Sequence, residues 1–330
     1  MTQNPTTRTI AVTGGAGYIG ALVCRELRDA GFAVRALDAL LHGQDTVAEE
    51  LAGAGVELHR GDVRDADARR RALSGAHGVV HLAAIVGDPA CAEDPETAHA
   101  VNIDGARGVV EDAVALGVER FVFASTCSNY GRMADPTTPI DEDAPLAPVS
   151  LYAEQKVAIE RHLQTLSPDV LGWTGLRFAT IYGIAPRMRF DLTVNEFTRD
   201  LAAGRALEVF GEQFWRPYVH VADAAHAVRM VLESPADRVC GTTFNVGRTA
   251  DNHRKLDLVG LIRRQVDTGS VAYVSRSEDP RDYRVDFSRV RDVLGFVPRN
   301  AVPDGIREIA AAIAAGTYPD PWHRRHRNSG

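Results

Sequence analysis

A doubly wound α/β fold, in which a parallel sheet carries helices on both faces, follows from three features of the 330-residue sequence. Short β-branched runs recur through its first half, stretches with apolar residues at three- and four-residue spacing separate them, and a glycine-rich turn joins the first run to the first such stretch. Strands linked through helices run parallel, and a parallel sheet buries both faces. The spacing predicts strands at 9–13, 33–38, 56–62, 78–84 and 120–126, with crossover helices at 18–30, 65–73 and 96–116. Beyond residue 180 the rhythm changes. A loop bearing proline and arginine, IAPRMRFD, leads to a helix near 192–203 and a short strand in LEVFG. The run YVHVADAAHAVRMVLESP then reads as a strand and helix that resume the parallel core, and TTFNVG as a further strand. From Lys255 onward the pattern is helix, strand, helix, helix. This assigns 1–180, joined by 217–247, to one domain and builds a smaller α/β lobe from 181–216 and 248–330. The final PWHRRHRNSG reads as a frayed, solvated tail.

Composition narrows the classes of function. Hydrophobic residues make up 45% and charged residues 25%, the balance of a globular chain rather than a disordered one. With 37 basic and 44 acidic side chains the net charge is −7, the wrong sign for a surface that binds nucleic acid. No run of about twenty apolar residues offers a membrane span, and the start, MTQNPTTRT, lacks the cationic and apolar regions of a signal peptide. The four cysteines, at 24, 91, 127 and 240, are too widely spaced for a CxxC metal knuckle and too few for a disulfide framework. No metal site is therefore expected, and the setting is a reducing cytoplasm.

In IAVTGGAGYIG, Gly14, Gly17 and Gly20 stand at a strand-to-helix junction, with Tyr18 and Ile19 between them. Missing side chains there let backbone amides and the helix N-terminus approach a pyrophosphate. The second strand ends in Asp38, eighteen residues beyond Gly20. A carboxylate at that place accepts hydrogen bonds from both ribose hydroxyls and repels a 2′-phosphate, which favours NAD over NADP and makes the sheet Rossmann-type. Asp62, in HRGDVRD, falls where an adenine lies and reads its exocyclic amine, directly or through Val63; the alternative role is capping the next helix. In HLAA, Leu82, Ala83 and Ala84 leave room for the cofactor to cross, while His81 reads as packed structure.

On the helical pattern SLYAEQKVAIERHL, Tyr152 and Lys156 are four residues apart and share a face. An ammonium beside a phenol favours the phenolate and draws its pKa from about 10 toward neutrality, as acid/base work at neutral pH requires. Ser125 and Thr126 end the fifth strand at the carboxyl edge, where α/β sheets bind ligands. A hydroxyl there can hold the substrate oxygen that Tyr152 protonates or deprotonates. The plainer alternatives are a solvated helix face and a strand-capping threonine.

Together TGGAGYIG, Asp38, GDVRD, HLAA, FASTCSNYG, YAEQK and RPYVHVADAA resemble the extended short-chain dehydrogenase/reductases that act on sugar nucleotides, over nearly the whole chain. The resemblance implies that Tyr152 is the acid/base, that Lys156 lowers its pKa and holds the nicotinamide ribose, and that Thr126 orients the reacting hydroxyl. It also implies a homodimer through a four-helix interface built from the helices around 96–116 and 152–166. Members that dehydrate their sugar carry an Asp-Glu pair directly after this threonine, where the chain has Cys127 and Ser128. Dehydration here lacks its proton donor and base. Members that use a cysteine to take the proton beside a ketone place it, counted back from Tyr130, at Ser128, which leaves Cys127 as a packed thiol.

What remains is hydride removal from a secondary alcohol and its return, a net epimerisation, most often at C4. A dehydrogenase or ketoreductase with net hydride turnover and a non-catalytic NAD-binding sensor are the alternatives. A nucleotide-diphosphate sugar needs guanidinium forks from the smaller lobe, for which Arg187, Arg189, Arg216 and Arg281 are candidates. By resemblance, Arg216 and Arg281 match diphosphate-contacting positions and Asn195 matches an asparagine that binds the diphosphate. The loop VGDPACAEDP is expected to cover the sugar, and Trp215 to stack on a base or lie in the core. The family's RxxNxYGP has Thr180 at its asparagine and Ala185 before the proline.

Overall fold

The structure, a computed structural model, describes residues 7–133, 138–275 and 281–328. In chain order it contains β1 (Thr9–Thr13), α1 (Gly20–Asp29), β2 (Ala33–Asp38), α2 (Asp45–Gly53), β3 (Glu57–Arg60), α3 (Ala66–Leu73) and β4 (Gly78–His81). A helical tract follows: α4 (Asp88–Glu93), α5 (Pro95–His99), a π-helical turn (Ala100–Gly105) and α6 (Ala106–Ala115). Then come β5 (Arg120–Thr126), a 3₁₀ turn (Cys127–Tyr130), α7 (Leu151–Gln164), β6 (Gly172–Phe178), β7 (Thr180–Tyr182), α8 (Thr193–Ala202), β8 (Ala206–Val209), β9 (Trp215–His220) and α9 (Val221–Glu233). The remainder is α10 (Ala236–Val239), β10 (Thr242–Val246), β11 (Asn252–Arg254), α11 (Lys255–Arg263), β12 (Ser270–Tyr273), α12 (Ser288–Leu294) and α13 (Val302–Ala314).

Seven parallel strands form the main sheet in the order β10-β6-β5-β4-β1-β2-β3. Alternation along β1 separates two cores. Ile10 and Val12 join Val23 and Leu27 of α1 and Val228 of α9 on one face. Ala11 faces the other way, with Ala72 of α3, Val109 of α6 and Leu163 of α7. The order reverses between β1 and β4, and such a switch point opens a crevice at the carboxyl edge where ligands bind.

The strands at 9–13, 33–38 and 120–126 have the predicted bounds, whereas β3 and β4 stop at Arg60 and His81. Asp62, Val63 and Leu82 to Ala84 therefore lie past the sheet edge, in loops that floor the crevice. The expected helix at 96–116 is broken by the π turn, where Asn102 points its amide at Ile85. The strand at 215–220 does not rejoin the parallel sheet. It pairs with β7 and, antiparallel, with β11, so the main core resumes only at α9, which packs on α1 and β5. A third sheet pairs β8 with β12. These short strands, α8, α11 and α13 enclose a separate core around Tyr182, Phe197, Tyr218 and Ile306.

The residues after α13 overturn the expectation of a frayed tail. Tyr318 packs edge-on to Phe190, His326 is buried against the same ring, and Trp322 donates to Asp200 at 2.9 Å. Apolar rings and backbone bonds outweigh the polarity of the intervening arginines. Among the described residues no helix is long and apolar enough to cross a membrane.

Candidate active site

The crevice at the switch point begins as a narrow cavity of about 150 Å³ between the β1–α1 turn and the ends of β2 and β4. Gly14, Gly17, Tyr18, Ile19 and Gly20 form one wall, and Asp38, Asp62, Val63, Leu82, Ala83 and Ala84 complete it. At Gly14, where φ is +72°, a Cβ would stand 2.8 Å from Ala83 N, so only glycine lets the two loops close together. Helix α1 has no side-chain cap and no acidic residue in its first turn; Ala21, Leu22 and Val23 donate to Gly17 and Ile19 carbonyls, so the amides open to an anion are those that precede Ala21. Asp38 is buried, and burial raises its pKa. Its two oxygens accept from Ala16 N at 2.9 Å and Leu40 N at 2.8 Å, which fixes the carboxylate at the cavity edge with lone pairs left for hydroxyl donors. His81 is buried and bonded to Thr13 Oγ1 at 2.7 Å, and burial lowers its pKa to about 3.

Asp62 lines the narrow cavity, and the alternative of capping the next helix falls to another residue. The Asp62 carboxylate accepts from Arg64 N, Nε and Nη2, and the cap of α3 is Asp65. Val63 lines the cavity beside it, and Gly105 of the π turn admits the Val63 methyl, 3.1 Å from where a Cβ would be.

A larger cavity of about 1020 Å³ continues from the narrow one, and Tyr18, Ile19, Leu82, Val86, Arg189 and Asn328 line both. Thr126, Tyr152 and Lys156 meet on its wall. The N-cap serine, Ser150, holds the start of α7 by accepting from Ala153 N, and the four-residue spacing turns Tyr152 and Lys156 the same way. Lys156 Nζ donates to Ala124 O at 2.8 Å and lies 5.8 Å from the Tyr152 ring centre. Burial pushes the Tyr152 phenol up and the Lys156 ammonium down to about 8, so the expected ready-made phenolate is not what this arrangement holds. Desolvation outweighs a cation that is turned toward a carbonyl. Thr126 Oγ1 accepts from Ser128 N at 3.1 Å, capping the 3₁₀ turn while facing the cavity. Cys127 is buried and its thiol donates to Arg177 O, whereas Ser128 lines the cavity.

The candidate substrate arginines separate. Arg216 and Arg281 line the larger cavity; Arg281 reaches Asp88 at 3.1 Å across it, and Arg216 lies over the Tyr283 ring. Arg189 lines both cavities and is paired with Asp191 at 2.7 Å. Arg187 lines only the dinucleotide side, where burial and Arg189 lower its pKa to about 10. Asn195 is fully buried off the cavity: it donates to Tyr18 Oη and Arg189 O and accepts from Gly183 N. Its amide braces the 183–189 loop and leaves nothing for a diphosphate. Trp215 sits between Arg254 and Arg284, outside both cavities, and the phenylalanines that line the larger cavity are Phe178, Phe197 and Phe210. Residues 86–90 do line the larger cavity.

Two lining residues carry no recognisable sequence signal. Asn328 lies in what reads as solvated tail, and Glu196 lies on a helix with an ordinary polar face. Glu160 had a local one, being four residues past Lys156; it binds Ser125 and Arg177 beneath the cavity wall.

Three comparisons identify the family. Residues 10–247 match the model of the NAD dependent epimerase/dehydratase family. The chain is 32% identical to the UDP-glucose 4-epimerase of Streptomyces lividans, covering 96% of each chain, and 31% identical to the dTDP-glucose 4,6-dehydratase of Streptomyces griseus, covering 98% of this chain and 96% of that one. The UDP-glucose 4-epimerase of Thermus thermophilus, solved in complex with NAD, superposes with a TM-score of 0.80 at 27% identity, over 93% of this chain and 99% of that one. The chain is therefore an enzyme of the NAD dependent epimerase/dehydratase family.

Proposed function

We propose that the protein epimerises a UDP-sugar at C4, with NAD retained in the crevice. The observation that carries this reading is the convergence of Tyr152, Lys156 and Thr126 on a large cavity that runs into a narrow one edged by Asp38. The residues fit NAD: uncapped helix amides for the pyrophosphate, Asp38 for the ribose, and two buried polar atoms in the same crevice, Arg187 Nε and Asn328 Oδ1, that have no protein partner. When bound, NAD supplies the hydride acceptor, and later the donor, together with a positive charge beside the phenol. That charge and Lys156 favour the phenolate that burial alone opposes. Tyr152 takes the hydroxyl proton as the C4 hydrogen leaves as hydride, and it returns that proton after the ketone has turned its other face. Thr126 holds the reacting oxygen, and the about 1020 Å³ cavity gives the sugar room to rotate. In this reading Arg216, Arg281 and Arg189, which line the larger cavity, supply the guanidinium groups for the diphosphate.

Support for UDP-sugars comes from the 4-epimerase relatives, and support against dehydration from Cys127 and Ser128, where no carboxylate stands. A cytoplasmic setting belongs to the same reading, supported by four unpaired cysteines, as does a homodimer through the outer faces of α6 and α7. The test is incubation of the NAD-loaded protein with a UDP-sugar panel, following product stereochemistry and reduced-nicotinamide absorbance together. Inverted C4 without net NADH is the expected result. Stoichiometric NADH, or a 4-keto-6-deoxy product, overturns it.

A further inference from the structure

The segment after α13 runs from the smaller lobe to the junction of the two cavities, which Asn328 reaches. It is anchored at three depths. Tyr318 and His326 pack edge-on against Phe190, with ring centres 5.1 and 5.7 Å away, and Phe190 N donates to His326 O at 2.8 Å. Trp322 donates to Asp200 and lies under the Arg205 guanidinium, 3.4 Å from its ring centre. Arg187, whose side chain lines the dinucleotide cavity, donates from Nη2 to Arg327 O at 2.9 Å.

Asn328 completes the crossing. Its N–H reaches Asp191 Oδ2 at 3.1 Å on one side, and its Nδ2 reaches Val86 O at 3.2 Å on the other. Val86 follows β4 of the main sheet, whereas Asp191 precedes α8 of the smaller lobe. The segment thus ties the two rims together at the point where both cavities are lined by Asn328. The remaining polar atom, Asn328 Oδ1, is buried with no partner. A buried acceptor without a donor is costly, so its partner belongs to what fills the crevice. Because Nδ2 faces a carbonyl, the free atom is the oxygen, and an oxygen acceptor suits a hydroxyl or amide N–H, not a phosphate.

We propose that residues 318–328 form a latch on the NAD site, with Asn328 accepting a hydrogen bond from a ribose hydroxyl or the carboxamide of the bound cofactor. This rests on the reading of the crevice as an NAD site. The latch holds the dinucleotide through the ketone stage, so the hydride returns to the sugar it came from. NAD cannot pass the junction while Asn328 bridges Val86 and Asp191, and its release requires the segment to lift.

The test uses the full-length NAD-loaded protein and two variants. Asn328→Ala removes the bridge, and Trp322→Ala removes a side chain that lines neither of the two cavities, its contact with the larger one being only through Asp200. NAD release is followed by chasing with excess NADH and reading energy transfer to its bound form, and folding is checked by thermal melts. The expected result is release about three- to tenfold faster in both variants, the size of one to two lost hydrogen bonds. Release within twofold of the parent in both variants overturns the latch. So does an Asn328→Ala protein whose KM for a UDP-sugar rises while NAD release is unchanged, because the free oxygen then belongs to the substrate. If one variant does not fold, the other decides. A parent that carries NAD and inverts no UDP-sugar sinks the proposed function and leaves the latch standing; a parent that binds no NAD sinks both.

Discussion

Tyr152 and Lys156 are both driven toward their neutral forms by burial, Lys156 to about 8, and the chemistry depends on which of them yields. A phenol that donates and accepts the sugar proton cannot be replaced by a ring without a hydroxyl. Tyr152→Phe should lower kcat by about 10²- to 10⁴-fold, the usual worth of a general acid/base, while NAD binding measured by fluorescence titration stays within about threefold. Lys156 gives a pH signature. Below about 8 it is an ammonium and supports the phenolate; above it the charge is lost while the phenol, raised by its own burial, still holds its proton. The rate should therefore fall on the alkaline side with an apparent midpoint near 8. Lys156→Arg, whose guanidinium does not titrate there, should flatten that limb; a limb unchanged by this substitution removes Lys156 from the account. The four-residue spacing of the pair is legible in sequence because helix geometry is local. Burial sets the direction of both shifts, and the packing that buries the pair brings in residues distant in the chain, such as Phe123 under Lys156.

At the scale of elements, the helix that carries Tyr152 and Lys156 is registered by a buried charge. Glu160, one turn past Lys156, takes a fork from Arg177 of β6 at 2.7 Å and bonds Ser125 of β5 and Asn129. Side-chain exposures of 2% and 4% leave neither charge an alternative in water. Glu160→Ala strands a guanidinium and should cost about 3–5 kcal/mol in urea unfolding, whereas the double change Glu160→Ala with Arg177→Met should recover part of that loss. A double variant no more stable than the single one denies the pairing its role. The strands that the sequence predicts to the residue, β1, β2 and β5, are apolar runs closed by turn residues. No such run marks β6, whose GWTGLRF carries two glycines and a buried arginine, although Arg177 proves to be the partner of Glu160. The strand at 215–220 misleads for another reason. A strand before a helix looks like a parallel unit, but its sheet is chosen by three-residue pairings with β7 and β11 that no local pattern announces.

The whole molecule adds what no single element fixes: two lobes joined over a crevice, and a surface that decides whether copies associate. The part of the narrow cavity formed by the glycines and Asp38 comes from one βαβ stretch and is legible because these residues belong to neighbouring elements. The larger cavity is gathered from residues as far apart as Asp88, Arg216 and Arg281, whereas Arg187 lines only the narrow cavity and Asn195 lines neither. The proposed dimer can be argued from the same surface. The solvent faces of α6 and α7 expose Arg107, Glu111, Glu154 and Arg161, both signs on each helix, so two copies related by a twofold axis can set opposite charges together. Exposed charges are screened within about 10 Å at 0.1 M salt and more closely at higher salt. Sedimentation equilibrium at low salt should give twice the 35.7 kDa chain mass, with Arg107→Glu or Arg161→Glu shifting it toward one chain and 1 M salt weakening the parent in the same direction. A single-chain mass for the parent at every salt concentration rejects the dimer, and an unchanged double mass in both charge reversals moves its interface to another face.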